Sequence, residues 1–346
     1  MANNNPHLLK ILKNADFGIF VNSMKHLSIA VKSGFEVSDI IYTTTGISQR
    51  DMEFIIQKNI SINLDSLEQV KLYGSLNSGG SIGVRLNIDE KSRDNIFIGS
   101  ESRIGILETE FPELLEIASR YSLKIIGTHV YLGTNIISFN EMIAGTKKTL
   151  DLSEHFPDLE YIDLGGGFPI DGENGQYFDY DKYGELITEL FNNYSKKHGR
   201  SIKLILEPGR SLFGDTAVFC SQVLDVKERP DRFLISCDAS ASILPRSMFY
   251  NNTFHNIEVL GKQNAPKLSK PAGVVGSTTY SRDYLGKDLQ LPMVEIGDIL
   301  MFKNAGSYCY AMITQFLGQA MPSEVLIDTS GKPKLIRERE TFQIAI

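Results

Sequence analysis

From about residue 17 to residue 212, short apolar runs bounded by turn residues alternate with longer segments whose apolar positions recur every three or four residues. The first kind reads as buried strands and the second as helices laid over them. The pattern predicts strands at Gly18–Ser23, Asp39–Thr44, Ser61–Asp65, Ile82–Ile88, Lys124–Leu132, Tyr161–Leu164 and Lys203–Leu206. Helices are predicted between them, among others at Arg50–Lys58, Leu67–Tyr73, Pro112–Tyr121, Asn140–His155 and Lys182–His198. Strands separated by helices argue for a parallel sheet covered by those helices. The arrangement suits a β/α barrel, although only seven strands are visible where closure takes about eight.

After Leu212 the helical period fades and turn signals recur, as in Arg229-Pro-Asp and Ser330-Gly-Lys-Pro. Apolar runs at Thr216–Val226, Phe233–Cys237, Ile257–Leu260, Gly273–Val275, Ile299–Lys303 and Glu324–Ile327 read as strands of an all-β domain. The expected division is therefore a barrel over residues 1–212 and a β domain over 213–346.

Composition narrows the function. The chain has 346 residues, 42% hydrophobic and 22% charged, as expected of a globular protein. Its net charge of -7 argues against a nucleic-acid surface. No apolar run is long enough to span a bilayer, and the first residues lack the pattern of a signal peptide. Cys220, Cys237 and Cys309 are far apart and odd in number. They read as reduced thiols of a cytoplasmic protein, with neither a disulfide frame nor a metal site.

Candidate chemistry collects just after strand ends, where a barrel places its active site. Gly127-Thr-His-Val-Tyr-Leu-Gly-Thr134 carries His129 and Thr134. Tyr161-Ile-Asp-Leu-Gly-Gly-Gly-Phe-Pro169 carries Gly165, Gly166 and Gly167, whose missing Cβ atoms let backbone N–H groups approach an anion. A tight turn without a ligand would use the same three residues. Leu206-Glu-Pro-Gly-Arg210 supplies Glu207, Gly209 and Arg210. Further on come Val275-Gly-Ser-Thr-Thr-Tyr-Ser-Arg-Asp-Tyr-Leu285 and Gly297-Asp-Ile-Leu-Met-Phe-Lys-Asn-Ala-Gly-Ser-Tyr308.

In order and spacing these five groups resemble the fold-type III pyridoxal-phosphate decarboxylases, the ornithine, diaminopimelate and arginine decarboxylase family. The resemblance runs nearly the length of the chain. It implies that Glu207 sits at the pyridine nitrogen, that His129 stacks on the ring and that Thr134 stands in for a phosphate-binding serine. It also places the glycines 165–167 and 209, Arg210 and Tyr308 around the phosphate, with Arg85 bracing the pocket by ion pairs. Each has a plainer reading: a satisfied histidine, a structural salt bridge at Arg210, a core tyrosine at 308. The ending Gln315-Phe-Leu-Gly-Gln-Ala-Met-Pro-Ser-Glu-Val-Leu is similar to the branch that works in siderophore, carrier-protein and exosortase-associated pathways.

The chain departs from the family pattern in several places. The register sets Met1 where the family has the lysine that bonds its cofactor, and a thioether cannot replace an amine. Lys10, Lys13 and Lys25 do not match that position. Phe20 and His26 stand for a usual Asp and Glu, and Thr279 for a proton-donating Cys, while Asp283 matches a family Asp. Tyr280 stands where relatives carry an acid that reads the substrate. The expectation is non-covalent pyridoxal phosphate and impaired decarboxylation of an amino acid or amino-acid conjugate. The alternative is a catalytically inactive homologue serving as regulator or dimer partner. A racemase of this fold is opposed by Glu207, since racemases need a weaker partner at the pyridine nitrogen. Family resemblance further implies a head-to-tail homodimer in which Thr279 and Asp283, as catalytic residues, face the other subunit's cofactor.

Overall fold

The computed structural model describes residues 1–88, 98–99, 101–250 and 253–343. All seven apolar runs of the first half become parallel strands: β1 (Ile19–Val21), β2 (Ile40–Thr44), β3 (Ser61–Leu64), β4 (Ser81–Arg85), β5 (Lys124–His129), β6 (Tyr161–Asp163) and β7 (Lys203–Ile205). They pair strictly in chain order from β1 to β7. Among the described residues β1 and β7 are the sheet's edges, so the barrel falls a strand short of closure. Pairing of parallel strands in chain order requires a crossover between neighbours, and helices α2 (Met24–Lys32), α3 (Gln49–Gln57), α4 (Leu67–Leu76), α5 (Phe111–Arg120), α6 (Phe139–Ser153) and α7 (Tyr180–His198) supply it. Helix α1 (Pro6–Asn14) precedes β1, and the single turn α8 (Arg210–Phe213) follows β7.

Local chemistry sets the helix limits. Ser23, Ser48, Ser66, Ser138 and Asp179 each cap a helix start by accepting from the third backbone N–H. Each such cap contributes about 1 kcal/mol. Helix α7 stops at Gly199, which takes a left-handed conformation with φ 66°. On α5, Phe111, Leu114, Ile117 and Ala118 fall on one buried face. They pack into a core that includes Ile40, Leu64, Val84 and Ile162 from the strands. Burying each large apolar side chain there is worth about 1.5–3 kcal/mol.

The chain divides into two compact units, one of Met1 with Leu8–Ser211 and one of Ala2–His7 with Leu212–Ile346. The second unit therefore takes in a short N-terminal arm as well as the C-terminal half. Its main sheet has six strands in the order β10-β13-β8-β9-β11-β12, where β8 is Phe219–Glu228, β9 Phe233–Cys237, β10 Ile257–Val259, β11 Ala272–Val275, β12 Tyr284–Leu289 and β13 Ile299–Phe302. Pairing is antiparallel except between β9 and β11. A separate ribbon joins β14 (Glu324–Ile327) to β15 (Pro333–Arg337). The predicted β/α barrel and β-rich second half are both present. Strands β12 and β15 went unpredicted because their residues read as a chemical motif and as a turn. No helix among the described residues is long and apolar enough to cross a membrane, and Cys220, Cys237 and Cys309 form no disulfide.

Candidate active site

Arg85, His129 and Asp163 are direct partners across β4, β5 and β6. Partnered residues of parallel strands point to the same face, so three polar side chains enter one layer. Glu207 follows β7 two residues after Ile205, the partner of Asp163, and its N–H donates to the Gly165 carbonyl at 2.9 Å. One ligand-capable atom each of His129, Asp163 and Glu207 lies within 4.8 Å of the other two.

One layer below, Gly83, Gly127 and Tyr161 are partners on the same three strands. A Cβ on Gly127 would overlap the Tyr161 ring, and one on Gly83 would meet its hydroxyl. Those two glycines let the ring cross beneath the polar layer as a floor. Its hydroxyl donates to Asn63 Oδ1 at 2.6 Å, fastening the floor to β3.

Dry surroundings set the protonation states. Burial pushes the His129 imidazole down to about 4, so it is neutral near pH 7. Burial and then the nearby Glu207 hold Asp163 well above the usual carboxylate range. Burial raises Glu207 to about 7, against the opposing pull of Asp163 and Arg85. Arg85 Nη1 pairs with Asp65 Oδ1 at 3.0 Å, both side chains being nearly buried, in the bracing role expected of it. Phe20 lies 6.0 Å from the His129 ring, centroid to centroid. An apolar ring there helps to keep water from the imidazole. His26 bonds Asn22 Oδ1 through Nδ1 at 2.7 Å, and burial pushes it down to about 4.

Several buried polar atoms have no partner among the described residues: both nitrogens of His129, Asp163 Oδ2, Glu207 Oε1, Arg85 Nε, Asn63 Nδ2 and Thr43 Oγ1. They come one residue at a time from β2 through the end of β7. Orphans on this scale are rare in folded proteins and call for a ligand or a proton.

The triple glycine has a matching deficit. Asp163 Oδ1 accepts from Gly165 N–H at 2.8 Å. No acceptor among the described residues faces the N–H groups of Gly166 and Gly167. A Cβ on Gly166 would stand 2.6 Å from the Glu207 carbonyl oxygen, so only glycine brings this turn against that strand end. Two adjacent free donors form an anion cradle. The Thr134 hydroxyl is 2.5 Å from Tyr131 Oη in the preceding loop. After Glu207 and Pro208 come Gly209 and the buried Arg210, the first residue of α8.

These observations fit pyridoxal phosphate. Glu207 Oε1 is an unclaimed carboxylate oxygen for a pyridine N–H, the His129 ring is free of hydrogen bonds that would fix it elsewhere, and the glycine N–H groups suit a phosphate. No lysine joins them among the described residues: Lys10 and Lys25 are exposed, and Lys13 pairs with Asp39 at 2.8 Å, at the opposite end of β2.

The remaining predicted residues lie in the second unit. Tyr308 is held at φ 53°, with its N–H donating to the Ala2 carbonyl at 2.8 Å. Asp283 is buried and closes its loop, its Oδ1 accepting from Ala241 N–H at 2.7 Å and its Oδ2 from Thr278 N–H at 3.1 Å and from the Thr278 hydroxyl. Thr279 is exposed on the loop so formed. Sequence reasoning did not single out Asp163, Tyr161, Asn63 or Thr43. An acid inside the apolar run before the glycines was the available signal for Asp163.

Comparison with known proteins identifies the family. The chain is 29% identical over 99% of its length to the diaminopimelate decarboxylase of Methanothermobacter thermautotrophicus, covering 81% of that protein. It is likewise 29% identical over its full length to the diaminopimelate decarboxylase of Aquifex aeolicus, covering 83%. A crystal structure of diaminopimelate decarboxylase from Helicobacter pylori complexed with L-lysine superposes with a TM-score of 0.87 at 26% identity, over 98% of this chain and 86% of that one. Residues 1–214 match the family described as "Pyridoxal-dependent decarboxylase, pyridoxal binding domain". With the match spanning most of the barrel and the site's donors and acceptors disposed as above, the chain belongs to the pyridoxal-dependent decarboxylase family.

Proposed function

We propose that this chain binds pyridoxal phosphate at the strand ends of its first unit and acts on an amino acid or amino-acid conjugate as a slow decarboxylase. The reading rests on one observation: the partnerless His129, Asp163 and Glu207 atoms beside the unclaimed N–H groups of Gly166 and Gly167. Glu207 would hold a proton on the pyridine nitrogen, and His129 would pack its neutral ring against the cofactor's. Gly166 and Gly167, with Thr134, Gly209 and Arg210 nearby, would take the phosphate. When bound, the cofactor supplies a sink for the electron pair left by departing carbon dioxide. Phe20 excludes water from this chemistry.

Two features would limit turnover in residues 1–346. Lys10, Lys13 and Lys25 do not join the site among the described residues, so the cofactor would be held non-covalently. Thr279 offers a hydroxyl where a thiol would donate a proton more readily. Tyr280 is an aromatic side chain, packed edge-on to Phe316 at 5.6 Å. It offers no carboxylate to the far end of a basic substrate, so diaminopimelate itself fits poorly. The same features favour a second reading, a homologue that keeps the cofactor and the dimer but not the reaction.

Absorbance titration with pyridoxal phosphate tests the binding claim. Binding should saturate, inorganic phosphate should compete, and Glu207→Ala should weaken affinity by about tenfold or more. Equal affinity in parent and variant would sink the placement. Carbon dioxide release across a panel of amino acids separates the slow enzyme from the inactive homologue.

A further inference from the structure

The reading above gives Asp163 no role of its own, yet it touches both halves of the site. Its Oδ1 accepts from Gly165 N–H and so fixes the start of the glycine cradle. Its Oδ2 is fully buried and partnerless, as is Glu207 Oε1. The two carboxyl groups belong to one cluster with His129, within 4.8 Å. Neighbouring carboxylates are both acceptors, so neither can satisfy the other without a proton. His129 does not supply one, because its Nε2 lies 3.6 Å from Glu207 Oε2, beyond hydrogen-bond length.

We propose that Asp163 is a protonated positioning residue, whose Oδ2–H donates to the Glu207 carboxylate while its Oδ1 anchors Gly165. One proton then satisfies two buried orphans. It leaves the pair with a single negative charge on Glu207, the group that would face the pyridine nitrogen. Asp163 thus ties the anion cradle to the charged carboxylate through one short side chain. The charged and titratable neighbours are consistent with this, and the Met1 amino group, which interacts electrostatically with Glu207, favours the negative charge there. Glu207 and the dry pocket disfavour a second negative charge. His129 on β5 is neutral. Arg85 on β4 is engaged with Asp65, and Tyr161, on β6 with Asp163, is a neutral phenol held up by burial.

Asp163→Asn is the decisive variant. The amide keeps an acceptor for Gly165 and carries an N–H for Glu207, so it copies the protonated acid and not the ionised one. Its cofactor affinity should stay within about threefold of the parent, whereas Asp163→Ala should lose about tenfold or more. The second readout needs no cofactor. A carboxyl group whose folded pKa is raised binds more protons folded than unfolded, so folding weakens as pH rises above the unfolded value of about 4. The parent should therefore lose stability relative to Asp163→Asn between about pH 4 and pH 8, giving the amide variant a melting midpoint higher by about 3 °C or more at pH 8. Should the variants fail to fold, infrared spectroscopy of the parent, with aspartate labelled, will report a protonated carboxyl band near neutral pH. An amide variant as damaged as the alanine one, with no stability gain at pH 8, would overturn the proposal, as would the absence of the protonated band. Because the stability and infrared arms use cofactor-free protein, they stand even if the cofactor reading falls. Conversely, failure of these arms leaves the titration with Glu207→Ala intact.

Discussion

Glu207 works against folding in order to be useful, and that can be measured. Burial raises it to about 7 from a carboxylate's usual value. The raised group costs nothing below its unfolded pKa and an increasing amount as pH climbs toward 7. Glu207→Gln should therefore unfold later than the parent at pH 8, match it near pH 4, and bind the cofactor poorly at both. A thermal melt series across pH checks the first two outcomes, and absence of any gain at pH 8 would mean that the carboxylate is solvated. Arg85 behaves oppositely. Its pair with Asp65 is nearly buried, so Arg85→Met leaves an acid stranded and should cost about 3–5 kcal/mol in urea unfolding. Adding Asp65→Asn should return much of that loss; strict additivity would show that the two do not interact. At this scale the sequence was informative where a residue stood in a recognisable string. His129, Glu207 and Arg85 were visible that way, each after or at the end of a strand. Asp163, Asn63 and Thr43 were not, because their significance lies in which atoms lack partners, and that depends on the strands beside them.

The elements show the same division. All seven barrel strands were legible, since each is an apolar run between turn signals, and boundaries moved by only a few residues. The layering was not legible, because register between strands is a long-range property that no local pattern encodes. Gly83 and Gly127 in isolation read as weak points in their strands. Partnered with Tyr161, they become the gap through which its ring reaches Asn63. Gly127→Ala should accordingly be far worse than the same change at an exposed strand position, by about 2 kcal/mol or more, since the ring has nowhere to go. Trimming the ring with Tyr161→Leu opens that space but strands Asn63 Oδ1. The double variant should be more stable than the sum of the single effects predicts, by about 1 kcal/mol or more. Urea midpoints of the four proteins measure the coupling, and simple additivity would remove Tyr161 as the floor. β12 failed to register for a different reason. Its first residues, Tyr284 and Leu285, end the loop that Asp283 closes, so a motif and a strand share residues.

For the whole molecule, the proposed reading would make the assembled site a property of two chains, and light scattering at micromolar concentration should then find a homodimer. A monomer throughout would take with it the role given to Thr279. The cofactor's attachment is the larger question. Residue 1 belongs to the first unit, with its side chain packed against the barrel core and its amino group close enough to Glu207 to feel that charge. The register expected from the family pattern would align this position with the family's lysine. Among the described residues strands β1 and β7 present unpaired edges on either side of the gap, and such an edge accepts a further strand. A polypeptide of residues 1–346, loaded with pyridoxal phosphate and treated with borohydride, should retain no pyridoxyl-lysine on peptide mass spectrometry. Replacing Met1 by Lys at the end of an added family-like strand should produce that adduct on the new lysine, because the strand fills the gap and delivers the amine to the pocket. Carbon dioxide release should rise with it, yet stay modest while Thr279 remains a poor proton donor, and Thr279→Cys in the extended chain should raise it again. Pyridoxyl-lysine at Lys10, Lys13 or Lys25 of the unextended chain, together with brisk decarboxylation, would refute the register. It would also require Lys13 to abandon Asp39 or an exposed lysine to enter the barrel, either of which a second structure would reveal.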